Sequence, residues 1–216
     1  MLAEDLRINF TVHFAMRSAI SQDNVTQVKS IMSRYPEYSP ETFPEGGYSP
    51  LHHSCSVGAV NTLLYFLNEC NADINSRCSP YSITPALVAA LNGNIEILKI
   101  LHNKHANLHL ADEFNENVLH KAVMKGDVSV LKYLIENCGL ESLLIARDDS
   151  NMTPLDFFLH MKERGIHPKY LTEEENYEET LNEIFEYLRR ETESVVVWSC
   201  RKKLIYLINQ NMFQLF

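Results

Sequence analysis

The apolar positions of this chain recur with a period of about 34 residues, each time in the same order. Four stretches combine a turn with the start of a helix, and their matching apolar positions are separated by 35, 33 and 36 residues. These positions are Leu51, Ala86, Leu119 and Leu155. In three of the stretches, two small residues, a glycine and an apolar triplet follow. The triplets are Val60/Leu63/Phe66, Ile95/Leu98/Leu101 and Val128/Leu131/Leu134.

This order predicts two short helices in each unit. Apolar residues at every third position lie on one face of a helix, which turns that face inward. Proline in the first turn of a helix loses no hydrogen bond, and the preceding residue in Ser49-Pro50 and Thr153-Pro154 can cap that turn. A small pair such as Ala89-Ala90 allows the two helices to approach closely. Residues 19–31 share the apolar spacing without the turn, which is typical of a unit that caps a stack.

Together, the turn, the helix start and the second helix resemble the ankyrin repeat. The resemblance covers about residues 14–160, and it implies an all-α solenoid of helix-turn-helix units joined by β-turn hairpin loops. We expect about four and a half repeats. The glycine that the family has in the turn is present as Gly47, but Ser82, Asn115 and Asn151 replace it elsewhere. Asn tolerates the left-handed backbone well, whereas Ser82 predicts an irregular hairpin.

The end of the chain departs from the repeat. We divide the sequence into an N-terminal extension (1–13), ankyrin repeats (14–168), an acidic amphipathic helix (169–193) and an apolar C-terminal helix or tail (194–216). The acidic helix is predicted to begin at Thr172, and its apolar residues share one face. These are Tyr177, Leu181, Ile184, Phe185 and Leu188. A stack of repeats leaves its last apolar face open, so we expect a helical cap.

A docking role for this tail is the alternative. Val196, Cys200 and Leu204 have a spacing that loosely resembles the elongin-binding box of ubiquitin-ligase adaptors. However, valine replaces the expected leucine, and no cullin-contacting proline motif follows. This alternative makes the tail a partner-binding or degradation-linked element rather than a cap.

Composition and charge narrow the function. The 216 residues are 45% hydrophobic with a net charge of −9, and residues 173–193 carry nine Glu against Arg189 and Arg190. An acidic chain disfavours nucleic acid as a partner. Five scattered cysteines without a CxxC motif indicate reduced thiols. Without a pattern for a leader or a membrane span, we expect a cytoplasmic or nuclear protein that is not secreted and has no membrane partner.

The sequence contains no catalytic motif, so we predict that the protein is not an enzyme and has no catalytic, cofactor-binding or metal-binding residues. His52 and His120 occupy the histidine of the ankyrin TPLH motif, where the resemblance implies a structural hydrogen bond. His102, His105 and His109 are predicted to be solvated, because no cysteines or paired acids accompany them.

A binding surface is therefore the expected source of function. In ankyrin proteins the hairpin tips and the first helices form a concave face. The variable positions of that face, located in this sequence by the motif, hold unusually many apolar and aromatic residues. Aromatic and Met side chains are typical of protein-binding surfaces. The candidate partner-binding residues are Tyr48, Tyr81, Ile83, Phe114, Met124, Lys125 and Met152.

The resemblance to small stand-alone ankyrin proteins suggests which partners to expect. We predict a regulatory subunit or inhibitor in a kinase or cell-cycle complex, acting by occlusion or scaffolding. An inhibitor of a Rel-type transcription factor and a substrate adaptor of a ubiquitin ligase remain the alternatives.

Overall fold

The computed structural model describes residues 2–36, 38–42, 47–79, 81–165 and 177–213, with side chains over 11–165 outside these gaps and over 181–199. Its helices follow each other in short pairs. They are α1 (Leu2–Ser21), α2 (Val25–Arg34), α3 (Pro50–Val57), α4 (Val60–Asn68), α5 (Pro85–Asn92), α6 (Ile95–Asn103), α7 (Val118–Lys125), α8 (Val128–Lys132), α9 (Pro154–Glu163) and α10 (Tyr177–Phe213). A π-helical turn (Tyr133–Asn137) extends α8, and a 3-10 helix (Glu141–Ile145) precedes α9.

Helix pairing agrees with the repeat predicted from sequence. The first helices form one layer, in which α5 packs on α3 and on α7, α1 packs on α3, and α9 packs on α7. The second helices pack on the first helix of their own unit, as α4 does on α3 and α6 on α5. This is the all-α ankyrin solenoid that the resemblance implied.

Local chemistry defines both ends of the first helices. The Ser49, Thr84 and Thr153 hydroxyls each accept a hydrogen bond from a backbone N–H in the first turn of the helix that follows. Gly93 ends α5 with φ of 75°, a left-handed conformation that glycine adopts without steric cost. The small residues inside the layer, such as Ala89, are fully buried. Their size therefore sets the close approach of neighbouring helices.

The hairpin of the third repeat is longer than the hairpin of the fourth. The Cys78 N–H donates to the Ile83 carbonyl, whereas the Asp112 N–H donates to the Glu116 carbonyl, so the third hairpin is one residue longer. This is the irregularity predicted from Ser82. Ser82 itself has the same left-handed backbone conformation as Asn115, with a φ of 52° against 57°. The Arg77 guanidinium supports this turn by donating to the Ser82 carbonyl at 2.8 Å.

The two ends of the chain correct the predicted boundaries. Helix α1 begins at Leu2, so the described residues 2–13 continue the first helix and are not a separate extension. The reason is that Val12 and Met16 lie on one face and are both buried in the core. Among the described residues, no helix is long and apolar enough to span a membrane.

Helix α10 covers the last repeat with its first half. It packs on α9 and on the 3-10 helix, and it buries Leu181, Ile184 and Leu188. The predicted division at residue 193 does not interrupt this helix, because no glycine or proline between 177 and 213 terminates it. The predicted helix start at Thr172 lies outside the described residues. Beyond the cap, Val196, Val197 and Trp198 are exposed.

Candidate protein-binding surface

Two buried histidines connect the third and the fifth hairpins to the repeats that precede them. The Nδ1 atom of His52 lies 2.7 Å from the Ser49 hydroxyl, and its Nε2 atom lies 3.1 Å from the Ile83 carbonyl. His120 repeats the link, with Nε2 3.1 Å from the Met152 carbonyl. Burial lowers the pKa of His52 to about 4 and also lowers the pKa of His120, so both rings are neutral at pH 7. The structural hydrogen bond implied for these histidines is confirmed.

A buried ion network lies under the fourth hairpin and was not predicted from sequence. The Lys121 ammonium lies 2.6 Å from the Asp112 carboxylate and also pairs with Glu116. The side chains of Lys121 and Asp112 are only 7% and 1% exposed. The other Asp112 oxygen accepts the backbone N–H groups of Phe114 and Glu116, which organises the turn. The available signal was a lysine among the buried residues of α7, flanked by His120 and Ala122.

Above this network, two exposed aromatic rings meet at the tips of adjacent hairpins. Tyr81 is 52% exposed and Phe114 is 47% exposed, and their ring centroids are 6.0 Å apart with a 39° tilt. The two hairpins are also joined directly, by a hydrogen bond from the Glu113 N–H to the Tyr81 carbonyl at 3.1 Å.

Ile83 is a correction to the predicted row of surface contacts. Its side chain is 4% exposed, so it belongs to the core and cannot reach a partner. Its backbone pairs with Cys78 in the hairpin and receives His52, and this pairing directs the side chain inward. Tyr48 and Met152 are only half-buried, but Tyr48 stacks on His52 with ring centroids 6.5 Å apart. These two residues are therefore less available than Tyr81 and Phe114.

Met124 and Lys125 lie at the C-terminal end of α7 and not in a hairpin. Both side chains are half-buried. The aliphatic part of Lys125 covers Gly93 of the preceding repeat, where an added Cβ atom would come within 2.8 Å of the Lys125 Cε atom. Lys125 thus contributes to packing between repeats.

Two exposed acidic residues are joined through their backbones to the residues of the aromatic pair, and neither is among the candidates predicted from the sequence. Glu113 is joined to Tyr81 through the backbone, and the Asp149 N–H donates to the Phe114 carbonyl at 3.0 Å. The Asn115 amide donates to one Asp149 carboxylate oxygen at 2.6 Å. We define the tip surface as Tyr81, Glu113, Phe114 and Asp149. The neighbouring Asp148 instead accepts the Met152 N–H and caps its own turn, as predicted.

The remaining reactive side chains do not form a catalytic arrangement in the described part of the chain. The Cys138 thiol lies 3.4 Å from His102, which is also 3.2 Å from the Tyr133 hydroxyl. Burial raises the pKa of the Cys138 thiol, which favours the unreactive protonated form. Within the same residues, no three His, Cys, Asp or Glu side chains are grouped so that they could hold a metal ion.

Comparison with known families identifies two matching regions. The family described as "Ankyrin repeat" matches residues 46–76, and the family described as "Ankyrin repeats (many copies)" matches residues 86–135. The second match includes Glu113 and Phe114 of the tip surface. The matches contain the turn, the paired helices and the glycine from which the sequence resemblance was inferred.

Individual relatives are longer and more distant. Over 163 residues the chain is 24% identical to the putative E3 ubiquitin-protein ligase XBAT31 of Arabidopsis thaliana, covering 70% of this chain and 34% of that protein. Over 128 residues it is 25% identical to the probable 26S proteasome regulatory subunit p28 of Saccharomyces cerevisiae, covering 58% and 54% respectively. It is also 28% identical over 96 residues to the ankyrin and armadillo repeat-containing protein of Mus musculus, covering 42% of this chain and 6% of that protein. The matched regions span about half or less of each relative.

Proposed function

Because this chain is an ankyrin-repeat protein, we propose that it binds another protein through its tip surface and catalyses no reaction itself. Ankyrin repeats indicate a protein-interaction module. The single observation that carries the location is the exposed contact between Tyr81 and Phe114. Large aromatic side chains are normally buried, and those left at the surface in contact with each other favour a binding site.

The energetics also favour this site over the other exposed apolar residues. Phe14 and Trp198 are exposed on helices, whereas Tyr81 and Phe114 lie on adjacent turns held together by backbone hydrogen bonds. A rigid aromatic pair loses little conformational entropy when a partner covers it. Truncating such an anchor typically costs about 2 kcal/mol of binding free energy, or roughly thirtyfold in affinity.

The partner class has one main candidate and two alternatives. The sequence suggested a kinase or cell-cycle complex that this chain regulates by occlusion or scaffolding, with an inhibitor of a Rel-type transcription factor or a substrate adaptor of a ubiquitin ligase as the alternatives. The names of two relatives, a putative ubiquitin ligase and a probable proteasome regulatory subunit, support the second alternative, the ubiquitin–proteasome system. All of these partners are proteins that an interaction module can bind through the same tip surface.

Affinity purification followed by mass spectrometry tests the proposal and separates these partner classes. The bait is the full chain, compared with a Tyr81→Ala/Phe114→Ala double variant. We expect the double variant to lose the main partner while its melting temperature stays close to that of the wild type, because both rings are exposed. Phe14→Ala removes an aromatic ring that is 70% exposed on α1 and is the matched control.

Two results contradict the proposal. If the double variant retains the partner, binding does not depend on the tip surface. If Phe14→Ala loses the partner to the same extent, the site is elsewhere on the stack. Kinase or cyclin subunits among the captured proteins favour the main candidate, and ubiquitin-ligase or proteasome subunits favour the second alternative.

A further inference from the structure

We infer that the tip surface recognises an arginine side chain of the partner, presented on an exposed basic segment. This inference rests on the proposed function and specifies the chemistry of the partner. It depends on two features of the tip surface together, the exposed aromatic pair and the two acidic residues joined to it through the backbone.

The aromatic pair provides faces on which a planar cation can stack. The rings of Tyr81 and Phe114 contact each other at 6.0 Å and a 39° tilt, so no side chain fits between them. Their outer faces remain open, since each residue is about half exposed. A guanidinium over such a face is attracted by the ring quadrupole, and the attraction strengthens as water is excluded.

The carboxylates provide the complementary charge at the same place. The Glu113 N–H donates to the Tyr81 carbonyl, and the Asp149 N–H donates to the Phe114 carbonyl. One acidic residue is therefore attached to the backbone of each ring-bearing residue. Asn115 occupies only one oxygen of Asp149, so the second oxygen can accept a hydrogen bond from a ligand.

Within the part of the chain that the structure describes, no cation pairs with these two carboxylates. Arg77 and Arg147 instead donate to the backbone carbonyls of Ser82 and Asn151. Lys121 is buried between Asp112 and Glu116. An incoming cation can therefore bind without displacing one that is already in place.

Arginine fits this combination better than lysine. Its guanidinium is planar, stacks on aromatic faces, and pairs with carboxylates through two parallel hydrogen bonds. The guanidinium is also more weakly hydrated than the lysine ammonium, so it loses less hydration free energy when the aromatic pair excludes water.

A binding titration with a defined probe tests the inference. The probe is a short fluorescently labelled peptide with two arginines separated by one alanine, and its twin carries uncharged citrulline in place of both arginines. Fluorescence anisotropy measures both peptides against the full chain at low salt. We expect the arginine peptide to bind roughly tenfold more tightly than the citrulline twin, and its affinity to fall as salt is added.

Variants then assign the binding to the tip surface. Glu113→Gln/Asp149→Asn removes both charges and keeps the rings, and we expect it to weaken the arginine peptide about fivefold or more. Glu141→Gln/Glu163→Gln removes two exposed acids elsewhere and is the matched control, expected to bind like the wild type. Tyr81→Ala/Phe114→Ala should also weaken the arginine peptide.

Three outcomes overturn the inference. They are no binding of the arginine peptide, equal binding of the citrulline twin, and an unchanged affinity in Glu113→Gln/Asp149→Asn. Size-exclusion chromatography with light scattering provides a fourth, because a dimer that Tyr81→Ala/Phe114→Ala dissociates means that a second copy occupies the surface. If the cellular partner depends on the rings but not on the carboxylates, the inference fails and the proposed function stands. If binding of the cellular partner depends on neither the rings nor the carboxylates, the inference and the proposed function both fail.

Discussion

The fourth hairpin carries acidic residues at its base and at its tip, and the two sets have opposite roles. At the base, Asp112 is almost inaccessible and is neutralised by Lys121. At the tip, Glu113 follows Asp112 directly in sequence, is exposed, and has no cation paired with it among the described residues. Of these two neighbouring acidic residues, Asp112 is thus part of the folded core, whereas Glu113 is accessible to a partner.

This difference shows that burial decides the role of a charge in this fold. A buried carboxylate loses its hydration and must be paired and hydrogen-bonded inside the protein, as Asp112 is by Lys121 and by two backbone N–H groups. An exposed carboxylate stays hydrated and contributes little to folding. It can therefore be replaced or engaged by a partner without affecting the stack.

The largest loss of stability is expected when the buried ion network at the base of the fourth hairpin is disrupted. Lys121→Met removes the ammonium and leaves the buried Asp112 without a cation, beside the partly buried Glu116. We expect the free energy of unfolding to fall by about 3–5 kcal/mol, measured by chemical denaturation. The triple variant Lys121→Met/Asp112→Asn/Glu116→Gln removes the charges together and should recover most of that loss. A single Lys121→Met protein as stable as the wild type contradicts a structural role for the network.

Acid should destabilise the stack through the buried His52, which binds the third hairpin. The pKa of His52 is lowered by burial from 6.5 to about 4, so the unfolded chain binds a proton that the folded chain excludes. The contribution of His52 to stability is complete above pH 6.5 and is lost as the pH falls from 6.5 towards 4. At about 1.4 kcal/mol per pKa unit, the loss reaches about 3 kcal/mol.

Denaturation curves between pH 7 and pH 4.5 measure this loss. His52→Gln should flatten the dependence of unfolding free energy on pH, because the titrating group is gone. His109→Gln changes an exposed histidine and should leave the dependence unchanged. Equal slopes in wild type and His52→Gln contradict the assignment of the effect to His52.

The smallest effect on stability is expected at the tip. Glu113→Gln removes an exposed charge without a paired cation, so the free energy of unfolding should change by less than about 0.5 kcal/mol. Thermal unfolding of this variant beside Lys121→Met measures the contrast directly. A destabilisation of Glu113→Gln comparable to that of Lys121→Met removes the distinction between tip and base.

Most of the fold could be predicted from the sequence because its signals act over short distances. Ser49 and Thr153 cap helices, and Ala89 allows close packing, at the positions that the repeat indicated. The candidate surface was predicted less completely. Tyr81 and Phe114 were identified as exposed anchors, but Ile83 was wrong, and Glu113 and Asp149 were missed. Ile83 is buried because its backbone pairs with Cys78 across the hairpin, and the repeat pattern alone did not show which side of this pairing its side chain would take.

The sequence by itself determined the helix pairs, their caps and the number of units, because each depends on residues within a few positions of one another. Only the tertiary structure decided the tip surface. Tyr81 and Phe114 are 33 residues apart in sequence, and their contact depends on how two hairpins join through the backbone of Glu113. The same stacking buries Asp112 and leaves Glu113 in water, because burial depends on the whole assembled layer and not on the identity of either residue.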